Sequence, residues 1–390
     1  MDNLTAYLAV SGSLSIDELR KLAPINSKRY YQSYMGFLRD YYSDRKNIIE
    51  GIANIKSHGL GFTVPQRIIN YGLEDLKGHI ENSILPVHNL VGLNVVCNSE
   101  DCPVETFPTR SFRWLKNYLI EKGAKITEHS SNVMELVKKV HSETDFLKLC
   151  ARRLKREKII QQIDDQEVPL VPEVLNHAYK APSVLFTANE LNRRFVVAIP
   201  GTVGGMAEAN HENNYSYVNN EAVFALELAS KGKKVTILDL SANFNHGLIK
   251  LCLGTEGIQI ISLQADPQTD ATIYYRDDAE SKNNIVNYNL EAGINGREYL
   301  EYLKDAIKNI SQSDVLLIIG GSNNYLYDSI GLFCVEAQYF RRFGQVIGGR
   351  AKEKEIKKII VVPGGGYDKD SHILFTDFCL GIKDKLKMEE

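Results

Sequence analysis

From about residue 89 onward, short apolar runs alternate with helical patterns, and that alternation admits few folds. Val91–Val96, Phe195–Ile199, the run opening at Val235, Gln259–Leu263, Ile285–Leu290, Val315–Ile319 and Ile359–Val362 have the length and composition of strands. Helical patterns fill much of the space between them: Arg110–Lys122, Asn132–Val140, Glu143–Lys158, Glu173–Asn176 and the residues beyond, Asn219–Lys231, Arg297–Asn309 and Cys334–Phe343. Apolar strands separated by helices predict an α/β fold, a mainly parallel sheet covered by helices on both faces. In open sheets of this kind, ligand chemistry belongs where the carboxyl end of a strand turns polar. The stretch 234–247 does so: a short apolar strand breaks into Ser241, Asn243, Asn245 and His246 and ends on Gly247.

Residues 1–88 read differently, as a separate helical extension preceding an α/β domain of residues 89–390. Ser15 is placed to cap one helical pattern, a second runs from the tyrosines near residue 30 until Gly59 and Gly61, and a third follows. Tyr30, Tyr31, Tyr34, Phe37, Tyr41 and Tyr42 recur roughly at helical spacing, the signature of a packing face, with docking of a protein partner as the alternative.

Composition excludes several function classes. A formal net charge of -3 over 390 residues leaves no basic footprint for nucleic acid, and no long Lys/Arg run suits an anionic membrane. No apolar run approaches a membrane span, and the N-terminal residues lack a basic region followed by an apolar core. The six cysteines are scattered; Cys97 and Cys102 form a lone C-x4-C without a second pair or a nearby histidine. A reduced, cytoplasmic protein is the expectation.

Glycine-rich turns close several strands, at 200–205, 320–324 and 363–368. They either admit a ligand close to the backbone or simply make the turn. None matches the dinucleotide or P-loop glycine patterns, and the H-E-x-x-H and G-x-S-x-G motifs are absent.

The order of these turns resembles the histone deacetylase family, within the arginase/deacetylase fold, over about residues 90–380. Residues 140–147 resemble its V-H-S helix. Residues 213–226 are similar to the segment that places an aromatic, here Tyr215, beside the acyl-lysine channel. Residues 237–247 are similar to the metal loop, 262–264 to its S-x-H, 320–331 to G-x-D-x-x-x-x-D-P-L-G and 362–368 to G-G-G-G-Y.

The resemblance implies a zinc held by Asp, His and Asp, a histidine pair as general acid/base, and a tyrosine that polarises the amide carbonyl. Carried over, the three ligand positions fall on Ser241, Asn243 and Asn323, and the histidine pair on Gly205 and Met206. The tyrosine is retained as Tyr367, poised for ligand contact or for packing alone, and Asp239 matches the acidic residue behind the metal loop. Neutral oxygens supply neither the charge nor the imidazole of such a site. Little of the ~10–16 kcal/mol of a favourable structural zinc site would survive their loss. Water without the metal keeps a pKa near ~15.7, and Gly205 and Met206 offer it no base.

The expectation is therefore a deacetylase-like pseudoenzyme with no cofactor, acting through a ligand or protein partner. Gly205, Met206, Asn213, Asn214, Tyr215, Asn219, Ser241, Asn243, Asn245, Asn323, Asn324, Gly365, Gly366 and Tyr367 form the expected pocket. Its neutral donors and acceptors suit an uncharged polar small molecule, or else satisfy one another and buried water. One alternative is an active deacetylase or amidohydrolase with a rebuilt zinc site drawn from Asp239, His211 and His246, joined by Asp266, Asp270 or Asp328. The other is a structural subunit of a complex.

Overall fold

The computed structural model describes residues 88–386 apart from 100, 103–106, 130, 132, 142–158, 164–165, 171, 210–215, 266–283, 292, 327, 329–332 and 369. In chain order its elements are β1 (Asn94–Asn98), α1 (Phe107–Glu121), β2 (Lys125–His129), α2 (Met134–Val140), β3 (Ile159–Ile163), β4 (Gln166–Leu170), α3 (Pro172–Glu190), β5 (Phe195–Ile199) and α4 (Asn220–Ser230). There follow β6 (Val235–Asp239), α5 (His246–Cys252), β7 (Ile258–Ala265), β8 (Ile285–Leu290), α6 (Gly296–Ala306) with a 3-10 turn behind it, β9 (Val315–Gly320), α7 (Ala337–Glu353), β10 (Lys358–Pro363) and α8 (Ser371–Leu386).

Eight strands form one sheet in the order β2-β1-β5-β10-β9-β6-β7-β8, and every pairing in it is parallel. β3 and β4 make a separate antiparallel pair. Successive residues of a strand point to opposite faces, and here each face meets its own core. Val197, Leu238, Leu316, Ile318, Ile359 and Val361 pack with side chains of α1, α6, α7 and α8. Val196, Ile237, Leu317, Ile319, Ile360 and Val362 pack with side chains of α3, α4 and α5. This is why the central strands read as unbroken apolar runs. Among the described residues, no helix is long and apolar enough to cross a membrane.

Several expectations need correction. Val91 and Gly92 form a turn with Gly92 at φ 80, so β1 starts at Asn94. The helix expected at Cys334–Phe343 begins at Ala337, because Cys334 and Val335 are held in bridges to Asn295 and Tyr325. Strand β2, the β3–β4 pair, α5 and α8 are not among the expected elements. The V-H-S segment leaves its helix at once: α2 ends at Val140 and His141 is extended. The helix expected at 143–158 and nearly all of the helical extension 1–88 lie outside the described residues.

Helices α7 and α8 cross with backbone against backbone. A methyl group at Gly344 would strike the carbonyl oxygen of Phe378, and one at Gly381 would strike that of Arg341. Alanine is ordinarily better than glycine inside a helix by about 1 kcal/mol, so close packing reverses the usual sign. Gly344→Ala and Gly381→Ala are each expected to lose about 1–3 kcal/mol of stability from overpacking, read by urea unfolding. A gain in stability would contradict the backbone contact.

Candidate functional site: a neutral hydrogen-bonded cluster

Strands β5, β10, β9 and β6 are neighbours at the centre of the sheet, so the loops after them meet at its carboxyl edge. There the side chains bind one another. Ser241 donates its hydroxyl to the Gly364 carbonyl at 2.8 Å. The Asn323 oxygen accepts the Ala242 N–H at 3.2 Å, and the Asn323 amide donates to the Asn243 oxygen at 2.9 Å. Asn324 donates to the Leu240 carbonyl at 2.9 Å. Ser241, Asn323 and Asn324 are buried, and Asn243 is half-buried.

Glycines bring the backbones this close. Gly365 and Gly366 have φ of 135° and 129°, a region that favours glycine. The Gly365 carbonyl accepts both the N–H and the hydroxyl of Ser322 at 3.0 Å. At Gly365, an added methyl group would lie 3.2 Å from the Asn323 amide nitrogen. At Gly205 it would collide with the Asn245 carboxamide.

Asp239 anchors the loop from the end of β6. One carboxylate oxygen accepts the Ser241 N–H at 3.0 Å and the other accepts the Asn245 amide at 2.7 Å. Burial pushes its pKa up to about 6, against the opposing pull of these donors. Glu221, in the first turn of α4, is raised to about 7 by burial, with the Asp239 charge adding to it. Its Oε2 is buried with no hydrogen-bond partner among the described residues. His141 ties a second loop to α4: its Nδ1 lies 2.7 Å from the Glu208 carbonyl, and its Nε2 accepts the Asn219 N–H at 3.1 Å. That arrangement is a neutral imidazole with the proton on Nδ1, and burial holds its pKa down to about 4. Asn219 caps α4 and also donates to the Gly205 and Ala207 carbonyls.

The structure thus gathers Ser241, Asn243, Asn323, Asn324, Gly364 and Gly365 into one cluster, with Asn219, Asn245 and Gly205 adjoining it through shared partners. Met206 is half-buried on the Gly205 loop. The Tyr367 N–H donates to Asp328 at 2.6 Å, and Tyr367 helps line a small cleft with Phe112, Val203, Ser322, Gly366 and Phe375. His211, Asn213, Asn214, Tyr215, Asp266 and Asp270 lie outside the described residues. His246 opens α5, with its Nε2 3.3 Å from Glu208. Asp328 accepts backbone N–H groups of Tyr367 and Asp368. Among the described residues, no three His, Cys, Asp or Glu side chains come together as a metal site.

Sequence reasoning missed Glu221 and Glu208. A partial signal for Glu221 was present: it precedes the apolar run Ala-Val-Phe-Ala in the first turn of α4.

The three positions that the resemblance gives to zinc ligands do not fit that ion. They offer one hydroxyl and two carboxamides, with no carboxylate, thiolate or imidazole. Both ends of the Asn323 amide and the Ser241 proton are already engaged within the protein.

Two expectations follow from this geometry. Asn323→Ala strands the buried Ala242 N–H and is expected to cost about 1–3 kcal/mol in urea unfolding. A loss below about 0.5 kcal/mol would contradict the assigned bonds. The raised pKa of Glu221 means that the unfolded chain ionises first as pH rises, so its contribution to stability is full below about 4.5 and is lost toward 7. His141 acts with the opposite sign, losing stability as pH falls from 6.5 toward 4. Glu221→Gln is therefore expected to gain on the wild type by up to roughly 3 kcal/mol between pH 4.5 and 7. A pH-independent difference would contradict a buried, titrating carboxyl.

The sequence matches the histone deacetylase domain over residues 109–380, more than half of the chain. It is 22% identical over 196 residues to histone deacetylase 8 of Arabidopsis thaliana, covering 45% of this chain and 49% of that protein. It is 23% identical over 179 residues to acetylpolyamine amidohydrolase of Burkholderia pseudomallei (strain 1710b), covering 43% and 50%. The matched stretch thus spans about half the length of these curated relatives. The fold is shared with the crystal structure of an acetylpolyamine aminohydrolase from Burkholderia pseudomallei, at a TM-score of 0.61 and 15% identity, over 74% of this chain and 98% of that one. The chain belongs to the histone deacetylase family.

Proposed function

We propose that this protein is a pseudoenzyme of the deacetylase family, a divergent member that lacks the usual zinc ligands and acts by binding. The observation that carries this reading is the Asn323–Asn243 hydrogen bond. One neutral carboxamide donates to another where the resemblance puts a histidine and an aspartate zinc ligand. Neutral carboxamides are poor ligands for zinc, which is held by thiolate, imidazole and carboxylate groups. Amide hydrolysis at neutral pH needs an activated water and a base, and a glycine and a methionine occupy the histidine positions. Replacing Gly205 with histidine is itself blocked, because its Cβ would fall on Asn245.

The cluster suits a ligand of matching polarity. Asn243 is half-buried at its rim and carries an amide that both donates and accepts. An uncharged polar small molecule bearing an amide or hydroxyl groups fits such a surface. A protein partner engaged through residues 1–88 is compatible with the same reading.

The test is hydrolysis. Purified protein with added zinc is expected to release no acetate from acetyl-lysine peptides or acetylated polyamines above the rate without protein. Zinc-dependent turnover that persists in a repurified sample would overturn the proposal.

A further inference from the structure

Beside the neutral cluster, the start of α8 closes a small cleft against α1 and the loops after β5, β9 and β10. Its apolar walls include Phe112 and Leu115 of α1, Val203, and Phe375 of α8. Its polar side chains include Ser111, Ser322, Ser371 and His372. The cleft adjoins the cluster: Gly365 lines it and also approaches the Asn323 amide, and Ser322 immediately precedes Asn323.

Two serine hydroxyls converge at Gly366. A methyl group built on that glycine would collide with the Ser322 hydroxyl and lie 3.1 Å from the Ser371 hydroxyl. Ser322 is 3% exposed and donates to the Gly365 carbonyl at 3.0 Å, which leaves its oxygen able to accept. Ser371, the first residue of α8, is 5% exposed, and its Oγ has no hydrogen-bond partner among the described residues. A buried hydroxyl in that state carries a desolvation cost that a ligand group can offset.

We propose that this cleft takes a short, uncharged carbon chain ending in a primary carboxamide, an inference that rests on the reading of the site as one that binds without hydrolysis. The amide oxygen accepts from Ser371, an amide N–H is donated to Ser322, and the carbon chain lies against Phe112, Leu115 and Phe375. No Lys, Arg, Asp or Glu is among the residues that line the cleft. A carboxylate or an ammonium would lose its hydration there without a counter-charge. A carboxamide exchanges its bonds to water for bonds to the two serines. A terminal hydroxyl offers them one atom in place of two, so the amide is the better match.

Saturation-transfer NMR on the full-length protein tests this with propionamide, n-propanol and propionate at equal concentrations. Propionamide is expected to receive saturation, n-propanol less, and propionate none. Ser371→Ala is expected to weaken propionamide binding several-fold with an unchanged urea unfolding midpoint, since no bond within the protein is lost. Val203→Phe, which places a ring in the cleft from the loop after β5, is expected to abolish it. Three results each overturn the inference while leaving the reading of the site intact: no transfer to propionamide, propionate bound as well as propionamide, or binding unchanged in both variants. Conversion of propionamide to propionate in the same spectra would overturn that reading itself.

Discussion

The carboxylate of Asp239 is the point on which the carboxyl edge of the sheet depends. It ends a strand buried on both faces and holds the next turn through the Ser241 N–H and the Asn245 amide. Asn245 in turn packs against Gly205, and Ser241 reaches across to Gly364. Loops from three strands are therefore registered through one acid. Burying it costs solvation, as the rise of its pKa to about 6 shows, and its two N–H donors offset only part of that cost. A second buried acid, Glu221, adds to the strain within reach of the Asp239 charge.

That edge explains how one fold can keep its shape while its chemistry changes. The parallel sheet, its two cores and the glycine turns fix where the loops end. The side chains at the loop tips decide what can be held there. Here they are serine and asparagine, and they close on one another: hydroxyl to carbonyl, amide to amide, backbone N–H to amide oxygen. Such a set is satisfied without an ion, whereas a set of carboxylates in the same place would repel itself unless a cation or protons intervened.

Much of the fold was legible in the sequence because burial on both faces leaves a plain signature. Phe195–Ile199 was bounded correctly from its apolar run alone. What escaped was what that signature does not mark. Strand β2, Lys-Ile-Thr-Glu-His, lies at the sheet edge and is largely solvated, so it carries no apolar run. Helix α5 is seven residues long, too short for a period to show. Within the candidate site, the residue types were legible and their pairings were not. The sequence placed Asn243 and Asn323 in two loops 80 positions apart, and only the neighbouring of β6 and β9 brings them into contact. Likewise, Asp239 could be read as an anchor only by resemblance, since its partners are set by the turn that follows it.

The zinc content of the purified, full-length protein tests this account most directly. The protein would be incubated with excess zinc, desalted, and measured by elemental analysis. A neutral, self-satisfied cluster predicts far less than one zinc per chain. One zinc retained per chain, and lost when Asn243 or Asn323 is replaced, would contradict it, because the ion would then be held by the residues argued to bind only each other.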